Sequence, residues 1–167
     1  MLTLSARAEG VEMVERVLHG LLVRFGDLEP LMDRLGLVIE TQTDERFEAE
    51  RAPDGTPWKP SIRVREQGGK TLTDSGIGRQ SVTHAASADR VEVGTNLIYM
   101  VAHQGGATIR PRTARALAFT LPGLGFRMAR QVVLPKREWL GLSPDNADEL
   151  IETAEDWVAE VLPGDEA

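Results

Sequence analysis

The spacing of the apolar residues changes twice along the chain, and this change constrains the fold more than any other feature. Apolar residues recur at helical steps in residues 11–25, 28–47 and 143–162. Residues 90–95 and 116–134 instead alternate apolar side chains with others, as half-buried strands do. Each amphipathic helix must bury its apolar face. The pattern therefore predicts an α+β fold, with amphipathic helices packed on a small antiparallel sheet, an extended β-hairpin at 116–134 and a C-terminal helix at 143–162.

Capping residues predict where two of the helices begin. Asp27 is a suitable N-cap for the second helix, whose first turn contains Pro30. The dipeptide Ser143-Pro144 has the same signature at the last helix, and Pro163-Gly164 should end that helix. A short alternating run at residues 2–8 predicts a further strand.

Residues 52–80 lack any periodicity because prolines and glycines interrupt them. A long segment of this kind inside a compact domain is usually either functional or disordered. We expect an irregular loop, and one alternative is that it becomes ordered only against a neighbouring subunit. Residues 96–104 are apolar enough to form either a short helix or a strand.

Length and composition exclude several classes of protein. A chain of 167 residues and 18.3 kDa fits a single domain spanning residues 1–167. The absence of cysteine excludes disulfide bonds, thiolate metal sites and a cysteine nucleophile. No apolar run approaches the roughly 18 residues that a membrane helix needs, and residues 1–9 lack the pattern of a signal peptide. We therefore expect a protein of the cytoplasm with no membrane contact.

Charge is distributed unevenly along the chain, whose net charge is −7. Residues 1–59 carry a net charge of −5, residues 60–140 carry +7, and residues 141–167 carry −9 with no lysine or arginine. Such polarity fits three situations equally well, namely self-association through unlike patches, binding to nucleic acid, and an ordinary solvated surface.

The motifs typical of common active sites are incomplete in this chain. Gly69-Lys70-Thr71 resembles the end of a phosphate-binding loop, but Val64 stands where that loop requires glycine. His84 and His103 are not at helical ligand spacing, although a zinc site that combines them with carboxylates is conceivable. We therefore expect no catalytic residue, no bound metal and no cofactor.

Four motifs follow one another in a distinctive order along the chain. The first motif is Phe47 with Pro53-Asp54-Gly55-Thr56-Pro57-Trp58, the second is residues 70–76 leading to Ser81, the third is residues 91–95 running into residues 99–106, and the fourth is residues 135–143. Over residues 28–160 this series resembles the phage virion morphogenesis family, also called tail completion proteins, of contractile-tailed phages and related prophages. The chain departs from the usual family pattern at Met100, where alanine is common, and at Lys136-Arg137-Glu138-Trp139, where alanine-arginine-proline-phenylalanine is common.

The resemblance implies a structural protein of the head–tail junction that works as an oligomer and has no active site. We expect tail completion or head–tail joining by a homo-oligomeric ring, with other phage neck and tail proteins as partners. Its location would be the host cytoplasm during assembly and then the virion, in the tail or neck. A DNA-binding module that uses an arginine-rich loop is the main alternative, and a hydrolase that uses His84 and His103 is a weaker one. Ring size and the role of the two histidines stay open.

Two features of the middle region are candidate parts of a subunit interface. The turn at residues 53–58 presents Trp58, which either folds onto its own core or anchors in a pocket of a neighbour, since tryptophan and arginine dominate interface energetics. Residues 110–115, here called the arginine loop, contain Arg110, Arg112 and Arg115. This loop is either solvated, in contact with an acidic subunit face, or in contact with the DNA that crosses a phage neck.

The last helix carries a series of like charges at four-residue steps, here called the acidic ladder: Asp148, Glu152, Asp156 and Glu160. Each such pair costs about 0.2–0.5 kcal/mol in an isolated helix. The ladder is therefore either a tolerated strain on a solvated face or the complement of a basic surface. We hypothesise that Glu152, Asp156 and Glu160 of one subunit meet the arginine loop of the next.

Overall fold

The computed structural model describes residues 26–121 and 123–161, together with Val14, Glu15, Leu18, His19 and Leu22, which are helical. The side chains of Glu160 and Val161 are outside this description. The strand predicted at residues 2–8, most of the helix predicted at residues 11–25 and the helix end at Pro163-Gly164 also lie outside the described residues.

Between Glu29 and Val161 the described residues form five helices and six strands, and the predicted α+β class is confirmed. The helices are α1 (Glu29–Ala49), α2 (Ile62–Gln67), α3 (Ile77–Gln80), α4 (Ile98–Gly105) and α5 (Pro144–Val161). The strands are β1 (Thr83–Ser87), β2 (Arg90–Gly94), β3 (Ala107–Ile109), β4 (Leu117–Leu121), β5 (Gly125–Ala129) and β6 (Val132–Leu134). The strands of the described part pair antiparallel as β1–β2, β3–β6 and β4–β5.

Helix α1 is the central element, and the apolar stripe predicted for it is buried. The predicted N-cap needs correction by one residue, because Leu28 is the N-cap and Asp27 precedes it. The Asp27 carboxylate still accepts a hydrogen bond from the Glu29 N–H at 3.0 Å, and Pro30 lies in the first turn as predicted. Leu31 and Leu35 pack against α5, whose own buried stripe includes Leu150. Burying each such leucine stabilises the fold by about 1.5–3 kcal/mol. The α1–α5 pair therefore forms the first of two cores.

The β1–β2 hairpin packs on α1, and a glycine makes this close approach possible. A Cβ atom on Gly36 would lie 2.4 Å from the Cδ2 atom of His84, which is closer than real Cβ contacts. Ala86 and Val91 of the hairpin pack against the first core. Strand β2 was predicted from its alternating valines, whereas β1 was not, because its alanines give no strand signal.

Residues 52–80 contain more regular structure than the sequence indicated. The predicted irregular loop is corrected by two short helices, α2 and α3. The Ser61 Oγ atom caps α2 by accepting the Val64 N–H at 3.2 Å. Helices this short contain too few turns to produce a periodic apolar pattern.

Residues 107–134, here called the arm, form one long excursion built in two tiers. The inner tier pairs β3 with β6, and the outer tier pairs β4 with β5. The hairpin is confirmed, but the predicted range of 116–134 needs correction because residues 132–134 pair with residues 107–109 instead of continuing the outer ladder. The tip of the arm lies beside α2, where a Cβ atom on Gly123 would be 3.3 Å from the Gln67 Nε2 atom.

Helix α5 begins where the sequence predicts, and its described part runs to Val161. The Asn146 N–H donates to the Ser143 Oγ atom at 3.1 Å, and Pro144 is the first helical residue, as the capping signature predicts. Ala147, Leu150, Ala154 and Trp157 form its buried stripe. The opposite face is left to the acidic residues.

Candidate subunit interface

Residues 135–140, at the start of the fourth motif, are where parts of the other motifs meet. The Trp58 Nε1–H of the first motif donates to the Glu138 carbonyl at 3.0 Å. From the third motif, the Gln104 Oε1 atom accepts the backbone N–H groups of Trp139 at 2.9 Å and Leu140 at 3.0 Å. We call this group of contacts the clamp.

Further hydrogen bonds of the clamp tie the same segment to α4 and to residue 59. The Gln104 Nε2–H donates to the Leu140 carbonyl at 2.5 Å, and the Trp139 Nε1–H donates to the Met100 carbonyl at 2.9 Å. The Arg137 backbone N–H donates to the His103 carbonyl at 2.7 Å. The Arg137 Nε–H donates to the Lys59 carbonyl at 2.8 Å. Since the arm leaves the body after residue 106 and returns before residue 135, the clamp fixes both ends of the arm.

The second motif is fastened to the C-terminal part of α1 instead. The Lys70 ammonium and the Arg79 guanidinium both bind the Glu48 carboxylate, and Arg79 also binds Asp44. Lys70 and Arg79 hold the pKa of Glu48 below its usual range. The Thr71 N–H donates to the Glu50 Oε2 atom at 2.8 Å. These bonds order residues 70–79 within one chain.

The first departure from the family pattern fits its local surroundings. Met100 is buried in the second core, and Gly78 provides room for it, since a Cβ atom on Gly78 would lie 2.7 Å from the Met100 Sδ atom. At the second departure the aromatic residue is Trp139, which is 1% exposed and lies 6.3 Å from the Phe47 ring centroid. Both positions therefore serve packing.

Trp58 packs in the second core of its own chain. Its side chain is 4% exposed and makes an edge-on contact with Phe47, with ring centroids 5.4 Å apart. Its only polar group is bonded to the Glu138 carbonyl. The rigid turn before Trp58 therefore directs the indole inward, which is the core interpretation that the sequence left open.

The arginine loop lies between the two tiers of the arm. Arg110, Arg112 and Arg115 are all exposed. The Arg110 Nε–H donates to the Gln131 Oε1 atom at 3.3 Å, across the gap between the tiers. Arg127 and Arg130 add two more exposed arginines, and residues 107–134 contain no aspartate or glutamate. Every charged side chain of the arm is therefore basic.

One face of the outer tier is apolar and exposed. Phe126 and Met128 of β5 are 63% and 65% exposed, and their cross-strand partners are Thr120 and Ala118. Leu117, Phe119 and Leu121 occupy the opposite face and are half buried. The sequence analysis did not select Phe126 and Met128, although apolar residues on both faces of one ribbon were a usable signal.

The acidic face of α5 is also exposed. Asp148, Glu152 and Asp156 of the acidic ladder all face solvent. Asp145, Glu149 and Glu155 lie on the same helix and are exposed too. Only Glu149 has a described side-chain partner among these six, because it accepts the Gln42 Nε2–H at 2.5 Å. Among the described residues, no ion pair joins the arginine loop to the ladder of the same chain.

The two described histidines of the body have opposite environments. His84 lies between two carboxylates, with Nδ1 2.8 Å from Glu40 and Nε2 3.0 Å from Asp33, and hydrogen bonding to Asp33 and Glu40 raises its pKa. Burial and the nearby Arg137 lower the pKa of His103. The Arg137 guanidinium lies 3.3 Å from the His103 Nδ1 atom. The two rings belong to different sites, and the structure gives each a bonded role.

Two other kinds of site are absent from the described part of the chain. No group of three or more histidine, aspartate or glutamate side chains is placed to hold a metal ion. None of the described helices combines the length and apolar character that crossing a bilayer requires.

The chain was compared with known proteins in three ways. A search of curated proteins and a search of solved structures found no match. The model of the phage virion morphogenesis family matches residues 10–159, which is most of the chain and includes both the clamp and the arm. The chain therefore belongs to the phage virion morphogenesis family.

Proposed function

We propose that the protein completes the phage tail and joins it to the head, and that it acts by oligomeric assembly without catalysis. The observation that carries this proposal is that the family motifs build a structural clamp. Polar side-chain groups of three motif residues form hydrogen bonds with the backbone of the same chain, namely those of Trp58, Gln104 and Trp139. Such groups determine shape, which supports a structural role.

The unpaired charges support assembly into an oligomer. The arm is basic and the outer face of α5 is acidic, so the surface of one chain contains two complementary patches. A contact between unlike patches is heterologous, and such contacts close into a ring when the rotation between subunits permits. A ring is also the shape that a channel for DNA between head and tail requires.

The environment of the histidines supports the absence of catalysis. A general base needs a ring nitrogen that is free to take a proton from a reacting group. Both ring nitrogens of His84 are already bonded to carboxylates, and Nδ1 of His103 faces a guanidinium. We expect alanine at both positions to leave assembly intact apart from any loss of stability.

Deletion of the gene from its phage tests the proposed function. We expect lysates that contain filled heads and separate tails, and addition of purified protein to such lysates should restore infectious particles. Tails of normal length that already carry heads in the deletion lysate would contradict the proposal. The protein should be found in complete virions in several copies, as quantitative mass spectrometry can measure.

DNA binding by the arm is the second candidate function, because the five exposed arginines of residues 107–134 have no acidic neighbour within that segment. Phosphate contacts release counterions, so retention on DNA would weaken steeply with salt. Replacement of the three arginines of the arginine loop by glutamine would then abolish retention.

A further inference from the structure

The arm carries positive charge that its own chain does not neutralise. Within the described residues, none of its five arginines forms an ion pair, although other basic residues of the body do, such as Arg79 with Asp44. The arm's five arginines are Arg110, Arg112, Arg115, Arg127 and Arg130.

The outer face of α5 carries the opposite charge and is equally without ionic partners. Asp148, Glu152 and Asp156 form no ion pair with any described basic residue. Residues 144–161 contain no lysine or arginine, so nothing on the helix itself offsets the repulsion between them. A partner that docks here must supply several positive charges close together.

The apolar face of the outer tier distinguishes between two kinds of partner for the arm. Phe126 and Met128 are exposed on one face of the outer tier, and Arg127 lies between them in sequence but on the opposite face, so the strand carries large apolar and basic side chains on different faces. The backbone of duplex DNA offers charge but little apolar surface. A protein surface offers both, and aromatic residues, methionine and arginine are enriched at protein interfaces.

We infer that the arm docks on the acidic face of α5 in a second copy of this chain. Charge complementarity selects this occupant, because the same sequence supplies the basic arm and the acidic helix that lack partners. The ladder positions are about 6 Å apart along the helix axis, so arginines spread along an extended segment can each meet a different carboxylate. Phe126 and Met128 lose solvent contact on docking and add an apolar contribution that salt does not screen.

This inference rests on the proposed function, and it specifies how each subunit of the ring holds the next. Every chain donates one arm and accepts another on α5, so the contact repeats in one direction around the ring. The clamp contributes by fixing where the arm leaves the body, since Gln104 and Arg137 bind the segment that follows it.

Disulfide trapping tests the inference directly, because the chain has no cysteine of its own. Met128→Cys and Glu152→Cys would be placed in separate chains, which are then expressed together in phage-producing cells. Particles are purified and oxidised, and the covalent dimer is measured. The control pairs Met128→Cys with Asp74→Cys, which removes an exposed carboxylate outside α5. We expect several-fold more dimer from the arm–helix pair than from the control pair.

The copy number of the protein, counted in the same particles, separates two kinds of failure. Particles with several copies but no dimer above the control overturn the arm–helix contact and leave the proposed function standing. Particles without the protein, or with one copy, reject the proposed function itself. Salt-dependent DNA retention that requires the arm's arginines, without any cross-link between copies, assigns the arm to DNA and also overturns the inference.

Discussion

Replacement of Gln104 by methionine should expose how much of the stability depends on one amide. Gln104 is 8% exposed, and its side chain satisfies two backbone N–H groups and one carbonyl of residues 139 and 140. Methionine has similar length but neither accepts nor donates well. Each buried donor left without an acceptor costs about 1–3 kcal/mol. Two such donors give a loss of about 2–6 kcal/mol in the free energy of unfolding.

That loss is large compared with the roughly 5–15 kcal/mol by which native domains are stable. It is measurable by urea unfolding followed through tryptophan fluorescence, since Trp58 and Trp139 lie in the clamp. The matched control is Gln131→Met, which removes an exposed amide on the arm whose described side-chain bond is to Arg110 at 3.3 Å. Surface changes of this kind usually stay within about 0.5 kcal/mol.

A particular result would refute the reasoning about the clamp. If Gln104→Met unfolds within about 1 kcal/mol of the wild type, with an unchanged denaturant slope, the two N–H groups have found other partners. The clamp would then depend on the packing of Trp139 and not on the amide of Gln104. A changed slope would instead show that the unfolded or folded state itself has altered.

Three further predictions concern pH, packing and charge. The pKa of His84 is raised, so its contribution to stability is present below the ordinary pKa of 6.5 and is lost as pH rises above that value. The pKa of His103 is lowered, so its contribution to stability is present above pH 6.5 and is lost as pH falls below that value. Urea midpoints from pH 5 to 9 should therefore lose their alkaline decline in His84→Asn and their acid decline in His103→Asn. Gly36→Ala should lower the free energy of unfolding by about 1–3 kcal/mol, because the new methyl group meets His84. The control Gly105→Ala has open space around the new methyl group and should be neutral or stabilising by up to about 1 kcal/mol, as thermal unfolding measures. Replacement of Glu152, Asp156 and Glu160 by lysine should impair assembly without unfolding the chain. Further replacement of the three arginines of the arginine loop by glutamate should partly restore assembly, as sedimentation measures. If assembly is not restored, these charges do not pair.

The helices were the most predictable part of the fold because their signals are local. The apolar stripe of α1 and the Ser143-Pro144 start of α5 depend on neighbours within a few residues, so the sequence alone locates them. The clamp was out of reach for the opposite reason. Gln104 bonds with residues 139 and 140, and no local pattern tells which distant backbone groups an amide will meet.

The exposed face of the arm shows a different limit, which is strand register. In the outer tier Leu121 pairs with Gly125, so Phe126 lies opposite Thr120 and on the face away from Phe119. A shift of one residue would move Phe126 and Met128 to the other face. The alternation of apolar residues in each strand was therefore visible, while the turn geometry that decides which faces combine was not.

Under the proposed arm–helix contact, the division of the arm into two tiers separates the residues that stabilise the fold from those that meet the partner. The inner tier and the clamp hold the arm at residues 103–109 and 132–140, whereas the outer tier is joined through residues 110–116 on one side and residues 130–131 on the other. Substitutions in the outer tier therefore disturb few bonds that the fold needs, so this part is free to diverge together with the surface that it meets. Exchange of residues 110–131 between two relatives should transfer assembly specificity to the recipient and leave its melting temperature nearly unchanged.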